Sequence, residues 1–271
     1  TATGDISVTD SDGLDVTTVD GVVGVSISAG GAGDDILIRE AGGAGNLGLA
    51  ISNTVSNSGA GRITLVSIPD ISGFFTSVMS VDANVTAGSG NILLVSAGDL
   101  DFTNTPTVST TGAGTIGVHA GATLTHPATV DASGGIGNAI LVGTNTEYTI
   151  QSGGGAIMLT ATRNVGVDTV NAGAGTVSIT GDVDGNGGAP GDITDTLGAE
   201  TPNITASAAI LQGANGIGTN GDSLNTQVTQ LDVTNTVDGG IFIDNIGALT
   251  TMDLGGPNTN SVSGVGGGGA I

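Results

Sequence analysis

The sequence predicts an all-β chain folded as a right-handed parallel β-helix, and its composition and one repeated motif carry that prediction. The 271 residues include 51 Gly, and Val, Ile, Thr, Ser, Asn and Asp are abundant beside them. Gly and Asn suit turns that need a positive φ, whereas Val, Ile and Thr suit strands. No stretch keeps the i, i+3, i+4, i+7 apolar spacing of a helix over two or three turns, so we expect only strands and turns.

The repeated motif is a Gly-rich turn followed by a short strand with aliphatic residues at alternating positions. Its copies are GAGDDILI at 31–38, GAGRITLV at 59–66, GSGNILLV at 88–95, GAGTIGVH at 112–119, GIGNAILV at 135–142, GGGAIMLT at 153–160 and GAGTVSIT at 173–180. They recur about every 23 residues, which accommodates three short strands and three turns, or one coil of a solenoid. About 11 such coils, stacked at about 4.8 Å, would form a rod on the order of 50 Å long.

A pair of antiparallel sandwiches is the alternative all-β fold. Type I′ hairpin signals between alternating strands are few, and the motif recurs at the length of a coil rather than of a hairpin. We therefore favour one continuous solenoid over residues 1–271.

A longer repeat is also predicted, because residues 1–36 align with residues 236–271 at an offset of 235. In this alignment Ile6 falls on Ile241 and Leu14 on Leu249. A competing register pairs LDVTTVDG at 14–21 with LDVTNTVDG at 231–239. The offset of 235 predicts a boundary between long repeats near residues 235–239, as in a segment of a longer array.

Charge and residue usage exclude several classes of protein. The 25 Asp and Glu residues against three Lys and Arg give a formal net charge of −22, so we expect no binding to nucleic acid. The absence of Cys excludes disulfides and thiolate metal sites. The longest aliphatic run, ILLV at 92–95, is too short to cross a bilayer, so we expect no membrane insertion.

One loop has the spacing of a calcium site. Its candidate oxygen ligands are Asp182, Asp184, Asn186 and Asp192, with a Gly at the sixth position as in the first half of a calcium-binding loop. The bidentate Glu that closes such a loop is absent, since the twelfth position is Ile193. We therefore favour a solvated acidic loop and keep Ca²⁺, the one cofactor considered, as the alternative.

Catalysis is not expected. Cleavage of polysaccharides by β-helix proteins needs two carboxylates facing one groove, or a Lys or Arg base. The chain has no Lys, its Arg residues are widely spaced at 39, 62 and 163, and aromatic residues make up only 2%. His119 and His126 lack a third nitrogen or thiolate ligand, so we interpret them as ordinary surface or corner residues.

Four segments resemble the repeats of filamentous-haemagglutinin-like giant bacterial exoproteins. They are GSGNILLVSAGDLDF at 88–102, GAGTIGVHAGATLTH at 112–126, the run 153–180 and the longer unit 213–254. The resemblance covers most of the chain and implies an exported right-handed β-helix that serves as an adhesin stalk or surface fibre. It carries over no binding residue.

These observations lead to one predicted function and two alternatives. We expect an extracellular structural or adhesive segment, a stiff rod within a repetitive surface protein, which contacts neighbouring repeats end to end. The first alternative is a filament subunit whose end coils join head to tail by strand addition. The second is a binding module that holds Ca²⁺ or cell-surface glycans in the loops 67–81 or 181–203.

Overall fold

The computed structural model describes residues 4–28, 33–41, 48–68, 78–125, 129–131, 141–143, 147–183, 191–237 and 239–251. Strands are its only regular elements in these ranges. They are β1 (Ile6–Asp10), β2 (Leu14–Asp15), β3 (Thr18–Val19), β4 (Val22–Val23), β5 (Val25–Ile27), β6 (Ile36–Glu40), β7 (Leu49–Ile51), β8 (Val55–Asn57), β9 (Ile63–Ser67), β10 (Met79–Val81), β11 (Val85–Ala87), β12 (Ile92–Ser96), β13 (Leu100–Phe102), β14 (Thr107–Thr110), β15 (Ile116–Ala120), β16 (Thr123–Thr125), β17 (Thr129–Asp131), β18 (Leu141–Gly143), β19 (Thr149–Gln151), β20 (Ile157–Ala161), β21 (Val165–Val167), β22 (Thr169–Asn171), β23 (Thr176–Thr180), β24 (Ile193–Asp195), β25 (Ile204–Thr205), β26 (Ala208–Gly213), β27 (Leu224–Gln227), β28 (Gln230–Asn235), β29 (Ile243–Asn245) and β30 (Thr250–Thr251). Within the described ranges there is no helix long and apolar enough to cross a membrane.

Three parallel sheets run side by side along the molecule. Sheet 1 has the order β1-β6-β9-β12-β15-β20-β23-β26-β28-β30, sheet 2 has β2-β7-β10-β13-β18-β21-β24, and sheet 3 has β5-β8-β11-β14-β19-β22-β25-β27-β29. Each pass of the chain adds one strand to every sheet, and bridges at Ile217 and Ile241 extend sheet 2 by two further positions. This is the predicted parallel β-helix, and the fold prediction is confirmed.

Aliphatic ladders fill the space between the sheets. In sheet 1, Ile63, Ile92, Ile116 and Ile157 occupy equivalent positions in successive coils, and all are buried. Sheets 2 and 3 add their own inward residues, and one contiguous hydrophobic core runs from the first coil to the last. Alternation within each strand therefore points one set of side chains into the core, as the sequence motif predicts.

The second Gly of the motif has a steric reason. A Cβ placed on Gly90 would overlap the carbonyl oxygen of Gly61 in the coil before it. The same clash arises at Gly114 against Gly90 and at Gly155 against Gly114. The corner between sheets 3 and 1 therefore stacks backbone directly on backbone, which leaves no room for a side chain.

The coil is longer than the predicted 23 residues. Nine steps lead from Ile6 to its equivalent Thr251, so the 245 residues between them give a mean of about 27 per coil. The described residues from Ile6 to Thr251 therefore form nine complete coils. Part of the difference lies at residues 135–142, whose motif predicts the start of a coil in sheet 1. Leu141 instead pairs with Leu100 in sheet 2, and Ile140 lies outside the described residues.

Two antiparallel hairpins interrupt the coils. The first, β3–β4, follows β2 and turns through Asp20 and Gly21, both with positive φ. The second, β16–β17, follows β15 and contacts β12. The second hairpin belongs to the insertion that lengthens the fifth coil.

The segments aligned at the offset of 235 occupy different rows of the stack. Ile6 lies in sheet 1, whereas Ile241 bridges to Ile217 in line with sheet 2. In the competing register, Leu14 lies in sheet 2 and Leu231 in sheet 1. The long repeat and its boundary near 235–239 stay a prediction from sequence similarity.

Candidate functional site

The predicted calcium loop is only partly within the described residues, because Asp184 and Asn186 fall in the range 184–190 outside them. Asp182 is buried, has a φ of 56°, and its N–H donates to the carbonyl oxygen of Arg163 at 3.0 Å. The Asp192 N–H donates to the side-chain oxygen of Asn164 at 3.1 Å. Both described aspartates are therefore held by backbone hydrogen bonds at the corner where β20 leads into β21.

The positive charge of Arg163 lies near this corner. Burial raises the pKa of Asp192, and the charge of Arg163 opposes that rise. The Arg163 Nε is buried and has no hydrogen-bond partner among the described residues. Among the same residues, no group of three or more His, Cys, Asp or Glu side chains could hold a metal ion. The calcium site stays a prediction that depends on Asp184 and Asn186.

A polar network that the sequence analysis missed lies near the next corner. The Thr196 hydroxyl donates to Oδ1 of buried Asp168 at 2.6 Å, and the Tyr148 N–H donates to Oδ2 at 2.9 Å. The Tyr148 hydroxyl donates to the Gly166 carbonyl at 2.6 Å, and its ring stacks on Phe102 with centroids 4.5 Å apart. Burial raises the pKa of Asp168, because removing its carboxylate from water costs free energy. The hydrogen bonds of the network offset part of that cost and hold the corner in place, so we interpret the network as structural.

A second polar network continues toward the last coils. Buried Asn203 donates to Asp195 at 2.7 Å and to the Val167 carbonyl at 3.0 Å, and its oxygen accepts the Asn225 N–H at 2.8 Å. Burial raises the pKa of Asp195, and the nearby carboxylates of Asp222 and Glu200 add to the rise. Asn203 thus links three successive coils, which is a structural role.

The interpretation of His119 as an ordinary surface residue is wrong, whereas His126 lies outside the described residues. His119 is only 5% exposed, although alternation points it away from the core. Its Nδ1 lies 2.8 Å from the hydroxyl of Thr160 in the next coil. Burial lowers the pKa of His119 to about 4, so the ring is uncharged at neutral pH.

The two ends of the described stack present strand edges in the same three sheets. β1, β2 and β5 pair on one side only, and so do β30, β29 and the bridge residue Ile241 at the other end. Beside the first coil, a hollow of about 210 Å³ is lined by core residues such as Leu14 and Ile38 and by Val19 of the β3–β4 hairpin. Val19, Val22 and Val23 of that hairpin are exposed.

Comparison with known proteins finds no match to a family model, to a curated protein sequence or to a solved structure.

Proposed function

We propose that this chain is a stiff segment of an extracellular structural or adhesive fibre. The observation that supports the proposal most directly is the parallel stack of nine coils on one aliphatic core. Force along the axis of such a stack is shared by the hydrogen bonds of three sheets at every boundary between coils. A stack of this kind transmits force without needing a reactive site.

The surface chemistry and the motifs support the same role. A net charge of −22 keeps rods soluble and mutually repelling. Three Lys and Arg residues in 271 leave few sites for trypsin-like proteases, which suits an exposed fibre. The resemblance of 88–102 and 153–180 to filamentous-haemagglutinin-like exoproteins points in the same direction.

The experiment is immunogold electron microscopy of intact cells that produce the protein, with antibodies raised against the 271-residue chain. We expect gold particles on structures that project from the cell surface. Labelling confined to the interior of sectioned cells would refute the proposal.

A second candidate is a filament subunit, which the strand edges at both ends of the described part of the stack favour. The Ile6 N–H donates to the carbonyl of Asp35, the residue before β6, so in the alternating strand the Ser7 N–H points to the unpaired side of β1. Ser7→Pro would remove that donor and leave the bonds to β6 in place.

Electron microscopy of the purified chain separates the two candidates. Long fibres from the wild type and from the control Ser7→Ala, but not from Ser7→Pro, would establish a subunit that grows by strand addition. Discrete particles from all three proteins would favour a covalent segment of a longer fibre.

A further inference from the structure

A tight turn projects from the corner where the chain passes from Ile217 to β27. Thr219 and Asp222 form an antiparallel bridge, in which the Thr219 N–H donates to the Asp222 carbonyl at 2.8 Å. The Asp222 N–H donates back to the Thr219 carbonyl at 3.2 Å. Asn220 and Gly221 occupy the end of the turn, and both are exposed. We call residues 219–222 the tip turn.

The tip turn is an insertion relative to the corner of the next coil. There Phe242 alone separates Ile241 from β29, whereas residues 218–223 lie between Ile217 and β27. A Cβ added to Gly221 would meet no atom within 4 Å, so no described part of the chain packs against the tip at this point. The tip turn is therefore accessible to water along its outer side.

The dipeptide at the tip is chemically reactive. Asn followed by Gly loses ammonia readily in water, because Gly places no Cβ beside the attacking backbone nitrogen. The Gly221 nitrogen attacks Cγ of Asn220 and loses its proton to water, and the side-chain amide nitrogen leaves as ammonia, so a cyclic succinimide forms. Water then opens the ring at Cγ to give Asp, or at the main-chain carbonyl to give isoaspartate. Water is the only co-reactant, and nothing is oxidised or reduced.

The same dipeptide occurs inside the stack and provides an internal comparison. In Asn215–Gly216 the glycine is buried, and its carbonyl accepts the Ile193 N–H at 3.1 Å. A Cβ on Gly239 of the next coil would overlap the Asn215 carbonyl oxygen, so backbone packs directly on this peptide. Ring closure at Asn215 therefore requires the coil to open first. The third Asn-Gly pair, at 186–187, lies outside the described residues.

The base of the corner is fixed on both sides of the tip turn. The Gly218 N–H donates to the Ile193 carbonyl at 2.8 Å, and the Leu224 N–H donates to the Phe242 carbonyl at 3.0 Å. Isoaspartate adds one carbon atom to the main chain at the tip, where Gly221 has open space around it. We therefore expect the change to stay within the tip turn and the coils to remain stacked.

The product also adds charge to an acidic corner. Burial raises the pKa of Asp195, and the nearby carboxylates of Asp222 and Glu200 add to the rise. Conversion of Asn220 places a further carboxylate in the same turn as Asp222. The modified chain is thus more acidic than the original and can be separated from it by anion exchange.

We propose that Asn220 is a modification site, which converts spontaneously to Asp and isoaspartate while the stack stays folded. Asn215, in the same dipeptide, is protected by its coil. This modification is additional to the mechanical role proposed above and does not depend on it.

The test is incubation of the full chain in mildly alkaline buffer, followed by thermolysin digestion and mass spectrometry. Cleavage before Ile217 separates the peptides that contain Asn215 and Asn220. We expect Asn220 to lose its amide at least about tenfold faster than Asn215, because Asn215 reacts only from an opened coil. A protein-isoaspartate methyltransferase should label the Asn220 peptide, and the modified chain should keep the far-ultraviolet circular dichroism of the original.

Two controls separate the effect of the fold from that of the dipeptide. Gly221→Ala should slow the reaction at Asn220 about tenfold, because the methyl group hinders the attacking nitrogen. The added methyl group meets nothing within 4 Å, so this variant should melt with the wild type. In urea the rate at Asn215 should rise to match that at Asn220, since no coil then protects it.

Three results would each overturn the proposal. The first is a folded chain in which Asn220 reacts no faster than Asn215, and the second is a Gly221→Ala variant that reacts at the wild-type rate. The third is a chain modified at Asn220 that has lost its circular dichroism signal. None of them would alter immunogold labelling of surface fibres, so the two proposals fail separately.

Discussion

Two adjacent leucines in β12 test whether alternation separates core from surface. Leu94 is fully buried and stacks between Leu65 and Val118 of the neighbouring coils, whereas Leu93 points outward and is half-buried. Leu94→Ala removes three carbon groups worth about 0.8 kcal/mol each and leaves a cavity, so we expect a loss of about 3–4 kcal/mol in the free energy of unfolding. Leu93→Ala should cost about 1 kcal/mol, because only part of its surface leaves water and no enclosed cavity forms.

The assay is urea unfolding of the wild type and both variants, followed by far-ultraviolet circular dichroism. Native-state hydrogen exchange should show that the extra opening of Leu94→Ala is greatest in the coils that contain β9, β12 and β15, since coils of a solenoid interact mainly with their neighbours. Equal losses for the two variants, or a larger loss for Leu93→Ala, would refute the assignment of inward and outward positions.

Three further predictions concern single groups. Because folding lowers the pKa of His119 from 6.5 to about 4, the unfolded chain binds more protons in this range and the free energy of unfolding decreases as the pH is lowered. Between pH 7 and pH 4, urea titrations should show that the wild type loses about 3 kcal/mol more than His119→Gln. Identical pH profiles for the two proteins would contradict this. Tyr148→Phe strands the buried Gly166 carbonyl and should cost about 1–2 kcal/mol, measured in the same way; an unchanged midpoint would be inconsistent with that bond. Gly90→Ala forces a Cβ into the backbone of the preceding coil and should lower the melting temperature sharply, whereas Gly198→Ala should not; equal melting temperatures would count against the stacked corner.

The general fold could be predicted because its causes are local. Each strand of sheet 1 carries its own alternation, as Ile92 and Leu94 do around Leu93, and each turn carries its own Gly. The second Gly of the motif, such as Gly90, is required by contact with the coil before it, and that contact recurs at every step. A repeated local pattern therefore encodes the repeated contact.

Assignment of strands to sheets was harder, because all three sheets demand the same alternation. GIGNAILV at 135–142 has the motif of a sheet 1 strand, yet Leu141 pairs with Leu100 in sheet 2 after a long insertion. The sequence holds no local signal for that choice. The choice of sheet depends on how many residues separate the strand from the one before it.

The surroundings of His119 could not be predicted for a related reason. Alternation correctly points His119 outward, but the residue is buried and its ring contacts Thr160 of the next coil. Gly117 lies inside β15 rather than in the turn of the motif, and a Cβ there would meet His119 and Leu93, which the sequence pattern alone does not indicate. For the calcium loop, spacing suggested ligands but gave no indication that Arg163 faces the same corner.

The central claim, a parallel stack of coils, is tested most directly by distances along one row of sheet 3. That row contains Ser26, Ser56, Thr86, Ser109 and Gln227. Because the chain has no Cys, a spin label attaches only where a cysteine is introduced. With one label at residue 227, pulsed electron resonance should give about 19, 24, 29 and 34 Å to labels at 109, 86, 56 and 26, a rise of about 4.8 Å per coil. Distances that do not increase in this order would contradict the stack.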